Sequence, residues 1–264
     1  MPTYAILGVT GSTGSSLLRY LHERPEKVNI NLYARSASKV ESLHPYVKTA
    51  KNIQSFVGDL SSAELLKDCL RNVDVIFSAV AQNNNEPGCS IARRTAHSIV
   101  SALEALRKEE GLSFKCPVLV FLSSASLNPT FAGATPWLLH WVLERGCYYV
   151  YGDLKESIEY LKEQSWIPLI TAEPPALTQD ISRGYELSLH EVMPGISYDD
   201  LARGMVQMAE EDGGHKWVGK GVGIKATGNV KINFLPLIWY LVVGLIAYFS
   251  PAAWGVLQRA GLNP

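Results

Sequence analysis

YAILGVTGSTGSSLLRYLHER, residues 4–24, is the stretch of sequence that decides the fold. It opens with an apolar run of the kind that forms a buried β-strand, and glycines follow at Gly8, Gly11 and Gly14. Leucines then recur at the spacing of one helix face. Glycine is required where a tight turn brings the backbone close to a pyrophosphate, whose oxygens bind the free N–H groups at the start of the helix. Because the motif lies between a strand and a helix, we predict a dinucleotide-binding turn rather than a glycine-rich turn without ligand.

The rest of the chain repeats this alternation of strand and helix, as in a parallel sheet with helices on both faces. Strands are predicted at residues 4–7, 30–34, 53–57, 73–79, 118–122, 169–172 and 221–226. Helices are predicted near residues 15–24, 61–70, 91–110, 153–164 and 198–210. Ser61 and Glu64 have the spacing of a capping box at one helix start. We therefore predict an α/β fold: a Rossmann-like NAD(P)-binding domain over residues 1–230, followed by an apolar C-terminal segment over residues 231–264.

The composition restricts the classes of partner and the cellular compartment. The 24 Lys and Arg nearly balance the 25 Asp and Glu, so no basic excess favours a nucleic-acid partner. The four cysteines and six histidines are scattered without metal-ligand spacing, which predicts no metal site and a reducing compartment. The N-terminus runs directly into the glycine motif and lacks the pattern of a secretory signal. A cytoplasmic location is expected.

The end of the second predicted strand favours NADP(H) over NAD(H). An NAD-preferring site places Asp or Glu there, whereas this chain has Arg35 and Ser36, and Arg35 would pair with a 2′-phosphate. The alternative for Arg35 is an ordinary solvated surface arginine. Further contacts are expected where the third and fourth strands end. The resulting predicted cofactor residues are Gly8, Thr10, Gly11, Ser12, Thr13, Gly14, Arg35, Ser36, Asp59, Leu60, Ala79, Val80 and Ala81.

A candidate catalytic group follows the fifth strand. A serine-rich turn over residues 123–126 precedes Tyr151 and Lys155, which lie four apart and hence on one helix face. A lysine ammonium there would lower the phenol pKa from about 10 and give a usable acid or base, while a serine hydroxyl would polarise a carbonyl. The alternative is an aromatic helix cap beside a surface lysine. Asp153 and Glu156 are expected to favour the start of this helix rather than to act as acids.

At these residues the chain resembles the atypical branch of the short-chain dehydrogenase/reductase superfamily, over roughly residues 3–227. The resemblance places a Ser/Tyr/Lys triad on Ser124, Tyr151 and Lys155, with Ser123 and Ser126 as alternatives for the serine. It implies a Rossmann fold and an NAD(P)-dependent oxidoreductase in which Lys155 also contacts the cofactor.

Two narrower resemblances imply different functions. Residues 1–8, 126–129 and 223–228 are similar to the averufin-oxidase-type proteins of fungal polyketide clusters, which implies an aromatic secondary metabolite as substrate. The chain is also similar to nitrogen-metabolite-repressor proteins, which would make it an NADP-binding regulator; Tyr151 and Lys155 argue against this function. An isomerase or dehydratase on the same fold is a further alternative.

Three segments are expected to form the substrate pocket, as in atypical members of that superfamily: residues 82–88, 131–147 and 173–194. The second is rich in aromatic residues and would suit an aromatic, apolar substrate, although the same residues could pack a helix on the core. Pro174, in the third, is expected to border the nicotinamide.

The C-terminal segment is unusual because residues 232–258 contain no charged side chain. Its densest apolar part, residues 234–249, is shorter than the roughly 20 residues of a membrane span, and Pro236 and Gly244 interrupt it. We predict an apolar hairpin that covers the active site, contacts a second subunit or lies on a membrane surface.

Overall fold

A mostly parallel β-sheet forms the centre of the molecule. The computed structural model describes residues 1–82, 84–133 and 136–261, and it describes Phe234 by its backbone alone. The strands are β1 Thr3–Leu7, β2 Asn29–Ala34, β3 Ile53–Val57, β4 Val75–Ser78, β5 Val118–Leu122, β6 Leu169–Glu173, β7 Ala176–Thr178, β8 Tyr185–Ser188, β9 Gly195–Ser197 and β10 Gly221–Ala226. The main sheet has the order β3-β2-β1-β4-β5-β6-β10-β8, and β7 pairs with β9 separately.

The sheet is parallel except for its edge, where β8 runs antiparallel to β10. The strand order reverses between β1 and β4, which leaves a crevice at the carboxyl ends of these strands, where α/β proteins bind ligands. The predicted α/β fold with a Rossmann-like sheet is therefore confirmed.

Helices cover both faces of the sheet. They are α1 Ser12–Glu23, α2 Ala37–Leu43, α3 Ala63–Leu70, α4 Ile91–Glu110, α5 Pro129–Ala132, α6 Trp137–Gly146, α7 Tyr148–Glu163, α8 Tyr198–Glu210, α9 Phe234–Phe249 and α10 Pro251–Arg259. Alternate strand residues enter two separate cores: Ile6 packs in the core under α1 and α8, whereas Ala5 and Leu7 pack in the core under α3, α4 and α7. Burial on both faces explains why the strands are continuous apolar runs.

Two predicted helix starts are wrong. The helix predicted from Ser61 begins at Ala63, and the carboxylate of Asp59 accepts the Ser61 N–H, so Ser61 is part of a turn before the helix and not its cap. The helix expected from Asp153 begins five residues earlier, at Tyr148, because the aromatic run before Tyr151 is itself helical. Tyr151 therefore lies within the first turn of α7.

The C-terminal helices α9 and α10 pack beside α6 instead of joining either core of the sheet. Val243, Ala247 and Trp254 form a small third cluster there, with Tyr149 of α7 against it. The opposite face is exposed and apolar, and it includes Leu235 and Ile238 of α9. Among the described residues, no helix combines the length and the apolar character needed to cross a membrane. Residues 262–264 of the predicted C-terminal segment lie outside the described residues, as do residues 83, 134 and 135 of the predicted substrate segments.

Candidate active site

The glycine turn after β1 has the shape of a phosphate-binding turn. Gly8 has a φ of +91°, and a Cβ added to it would lie 2.7 Å from the carbonyl oxygen of Ala79. A Cβ on Gly14 would overlap the Gly8 carbonyl. Gly11, the residue before α1, offers no side-chain cap, and the first turn of α1 has no acidic residue. The N–H groups at the start of α1 are thus available to an anion, and the glycine turn fits a dinucleotide pyrophosphate.

The ends of β2 and β3 place the predicted adenosine residues near one another. The Arg35 side chain is exposed, and its charge acts on Asp59 together with that of Arg94. Hydrogen bonds from Ser61, followed by these two cations, hold the pKa of Asp59 below its usual range. Ser36 accepts a hydrogen bond from the backbone of Lys39 and caps α2, so its side chain is partly occupied. An exposed arginine beside this strand end is available to a phosphate.

Tyr151 is half-buried beside the turn that follows β5. The hydroxyls of Ser126 and Ser124 and the thiol of Cys147 lie near its hydroxyl. Burial raises the pKa of Tyr151, and the two serine hydroxyls offset this only in part. The Lys155 ammonium does not lower the pKa of Tyr151 as predicted, because the lysine side chain is exposed and lines a surface cavity. The pKa of Tyr151 is therefore raised, and the prediction from the spacing that it is lowered is wrong.

The structure separates the three candidate serines. Ser124 and Ser126 lie at the Tyr151 hydroxyl, and the Ser124 Oγ also accepts the Ser126 N–H at 3.3 Å. The hydroxyl of Ser123 is buried and, within the described part of the chain, has no hydrogen-bond partner; the same holds for Ser78 at the end of β4. Ser124 and Ser126 therefore both stay candidates for the catalytic hydroxyl.

Asp153 stabilises a helix start, but in a different helix from the one predicted. Its carboxylate accepts the N–H groups of Ala92 at 2.8 Å and Arg93 at 3.0 Å, which are the second and third residues of α4. Glu156 forms an ion pair with the Arg93 side chain. The acids on α7 thus hold α4 against it, because α7 begins too early for Asp153 to cap its own helix.

Glu173 is a buried carboxyl at the end of β6, which the sequence analysis placed only within a predicted substrate segment. Glu173 accepts hydrogen bonds from Asn128 Nδ2 at 2.6 Å and Thr171 Oγ1 at 3.0 Å, and burial raises its pKa. The next residue, Pro174, accepts the Ala125 N–H at 2.9 Å. These contacts fix the serine-bearing turn to β6. The signal in the sequence that points to Glu173 is its position directly before two prolines.

A cavity of about 530 Å³ opens beside Tyr151 and Lys155. Its walls come from α7, the end of α6, the start of α4 and the C-terminal end of α9, which contributes Tyr248. Four tyrosines, three cations and three acids make up most of its lining: Tyr148, Tyr149, Tyr151, Tyr248, Arg93, Arg145, Lys155, Glu144, Asp153 and Glu156. Two of the three predicted substrate segments therefore reach this cavity, through residues such as Gly88 and Arg145. No group of His, Cys, Asp and Glu among the described residues is placed to hold a metal ion.

Asn85, in the loop after β4, ties the C-terminal helix to this region. Its buried side chain donates to the Gly244 carbonyl of α9 at 3.1 Å and accepts the Tyr149 N–H of α7 at 2.8 Å. Sequence reasoning placed Asn85 only within a predicted substrate segment. Its position in a polar run, between a strand and a helix, was the available signal.

Comparison with known proteins identifies relatives over nearly the whole chain. Residues 8–212 match the model of a family described as NAD(P)H-binding. Oxidoreductase stcQ of Emericella nidulans is 36% identical over 255 residues, covering 95% of this chain and 92% of that protein. Averufin oxidase A of Aspergillus flavus is 34% identical and covers 92% of this chain and 89% of that protein.

Among solved structures, a short-chain dehydrogenase/reductase from Veillonella parvula in complex with NADP superposes with a TM-score of 0.68. It is 18% identical and covers 86% of this chain and 95% of that chain. At this identity the likeness supports the shared fold.

Proposed function

Because the chain belongs to the NAD(P)H-binding family and to the fungal oxidoreductases that include averufin oxidase A, we propose that it is an NADP-dependent enzyme of the short-chain dehydrogenase/reductase type. It reduces a carbonyl or oxidises an alcohol of an aromatic polyketide-type metabolite. The observation that carries the proposal is the Tyr151 hydroxyl, which lies near two serine hydroxyls at the carboxyl edge of the sheet. The glycine turn follows β1 at the same edge.

The glycine turn and the strand ends beside it are proposed to hold the cofactor. The close approach of Gly8 and Gly14 to neighbouring backbone leaves no room for side chains, as a pyrophosphate site requires. Arg35 supports the choice of NADP because it is an exposed cation at the end of β2. Lys155 and Pro174 complete the set on the side of the candidate catalytic residues. When bound, the cofactor supplies or accepts the hydride.

Tyr151 is proposed as the proton donor and acceptor at the substrate oxygen, with Ser124 as the hydroxyl that polarises the carbonyl. The raised pKa of Tyr151 keeps the phenol protonated near neutral pH, so in the reducing direction it can donate a proton to the developing alkoxide. Hydrogen bonds from Ser124 and Ser126 stabilise the phenolate that remains.

The cavity beside Tyr151 supports an aromatic substrate with acidic hydroxyl groups. Tyrosine rings line it and would stack on a planar aromatic system, while Arg145 would attract phenolic oxygens. A polyhydroxylated anthraquinone has both features.

The test is turnover with NADPH on a panel of hydroxyanthraquinones and related aromatic ketones, followed by loss of absorbance at 340 nm. Tyr151→Phe should lower kcat by on the order of 10² or more and leave NADPH affinity nearly unchanged, because only the proton transfer is lost. Turnover of this variant within a fewfold of the parent would contradict the assignment. If NADPH binds but the parent turns over no substrate in the panel, a cofactor-binding regulator becomes the better description.

A further inference from the structure

The backbone of α9 touches the junction between α6 and α7. A Cβ on Gly244 would overlap the carbonyl of Gly146, and a Cβ on Gly146 would lie 2.9 Å from the Leu241 side chain. The two glycines therefore let the helix backbones meet without intervening side chains. Gly244, which the sequence analysis took as an interruption of an apolar helix, is the point of closest approach.

Asn85 fixes the same contact from a third side. Its amide joins the Gly244 carbonyl to the Tyr149 N–H, and the side chain is only 3% exposed, so both bonds lie out of water. A buried amide with both ends bonded orients the groups that it joins. The position of α9 is thereby set relative to the first turn of α7, which contains Tyr151.

This packing places one hydroxyl of α9 at the catalytic cluster. Over residues 234–249 the only hydroxyl-bearing side chains are Tyr240 and Tyr248. Tyr240 is half-buried and precedes Leu241, whose backbone and side chain lie against Gly146. Tyr240 is therefore next to Cys147, which lies one helical turn before Tyr151, and the Tyr240 hydroxyl and the Cys147 thiol are neighbours. Burial raises the pKa of Cys147 to about 11 and also raises that of Tyr240. The Cys147 thiol and the hydroxyls of Tyr240 and Tyr151 are therefore all neutral near pH 7.

We propose that α9 is part of the catalytic site and that Tyr240 is a positioning residue, which acts through the Cys147 thiol to orient the Tyr151 hydroxyl toward the substrate. The inference rests on the proposed function of Tyr151. It explains why an otherwise apolar helix directs a hydroxyl inward at this point, where a phenylalanine would fill the same volume without a polar group to satisfy.

The test compares Tyr240→Phe with the parent on the substrate that gives the highest turnover in the panel. We expect kcat to fall by about tenfold with KM for NADPH unchanged, because a misoriented proton donor affects the chemical step and not cofactor binding. The solvent deuterium isotope effect on kcat should rise as proton transfer becomes more rate-limiting. Tyr160→Phe, which removes a hydroxyl from a later turn of α7, is the matched control and should match the parent.

A second variant tests the placement of the helix. Gly244→Ala puts a methyl group against the Gly146 carbonyl and should displace α9, which lowers kcat at least as far as Tyr240→Phe does while NADPH binding is kept. If Tyr240→Phe matches the parent in kcat and in isotope effect while Tyr151→Phe is inactive, the inference is overturned and the proposed function stands. If Tyr151→Phe is active, the proposed function itself fails.

Discussion

Tyr151 and Lys155 are one turn apart on α7, yet their surroundings differ. The tyrosine hydroxyl is buried among serines and a thiol, whereas the lysine extends into a surface cavity. At the scale of the residue, burial therefore outweighs charge: the phenol stays protonated because the nearest groups are neutral. This arrangement suits a proton donor, while Lys155 is left available for the cofactor or the substrate.

Arg35 makes the choice between NADP and NAD testable at the same scale. Arg35→Ala should weaken NADPH binding by about one to three kcal/mol and leave NADH binding almost unchanged, because only the contact with the 2′-phosphate is lost. The measurement is calorimetric titration with each cofactor. Lys51→Ala is the control. It removes an exposed cation at the amino end of β3, whereas Arg35 follows the carboxyl end of β2. Equal losses for NADPH and NADH would refute the role of Arg35.

At the scale of the element, one carboxylate connects two helices. Asp153 on α7 caps the first turn of α4, and Glu156 one turn later pairs with Arg93 on the same α4 turn. The loop before α4 borders the cavity through Gly88 and Cys89. The cap thus helps to hold one wall of the proposed substrate site.

Asp153→Ala should lower the free energy of unfolding by about 0.5–2 kcal/mol, because a buried N–H group and a part-buried N–H group in the first turn of α4 lose their acceptor. Chemical denaturation of the parent and the variant measures this. Glu156→Ala removes an exposed acid from the same helix and should change stability little. A loss for Asp153→Ala no greater than that for Glu156→Ala would show that the cap contributes nothing measurable.

At the scale of the whole molecule, the C-terminal helices form a unit attached to a complete sheet. Their buried residues form a cluster separate from both sheet cores, while Ile232, just before α9, packs on Gly195, the first residue of β9. The exposed apolar side chains of α6 and α9 agree with the expected contact of this segment with a second subunit or a membrane surface, which stays a prediction.

A chain that ends after Asn233 keeps the Ile232 contact and should fold and bind NADPH as the full chain does, since the sheet and the glycine turn are intact. It should lose substrate turnover, because α9 supplies Tyr240 and one wall of the cavity. Circular dichroism, NADPH titration and turnover on the panel test the three expectations. A truncated chain with full turnover would exclude α9 from the site, and an insoluble one would mean that the sheet cores need it.

The sequence by itself determined the local features: the glycine turn, the seven parallel strands of the main sheet, the long helices such as α8, and the nearness of Tyr151 to a serine-rich strand end. These follow from backbone sterics and from periodicities of two and 3.6 residues, which act between neighbours in the chain. Only the tertiary structure decided which distant groups meet. Asp153 caps a helix 61 residues away, Asn85 bonds to a carbonyl 159 residues away, and Tyr240 of α9 lies next to Cys147, one turn before Tyr151. Such pairings depend on packing in three dimensions, because a side chain's partner and its burial are set by whichever element lies against it, and no local pattern records that.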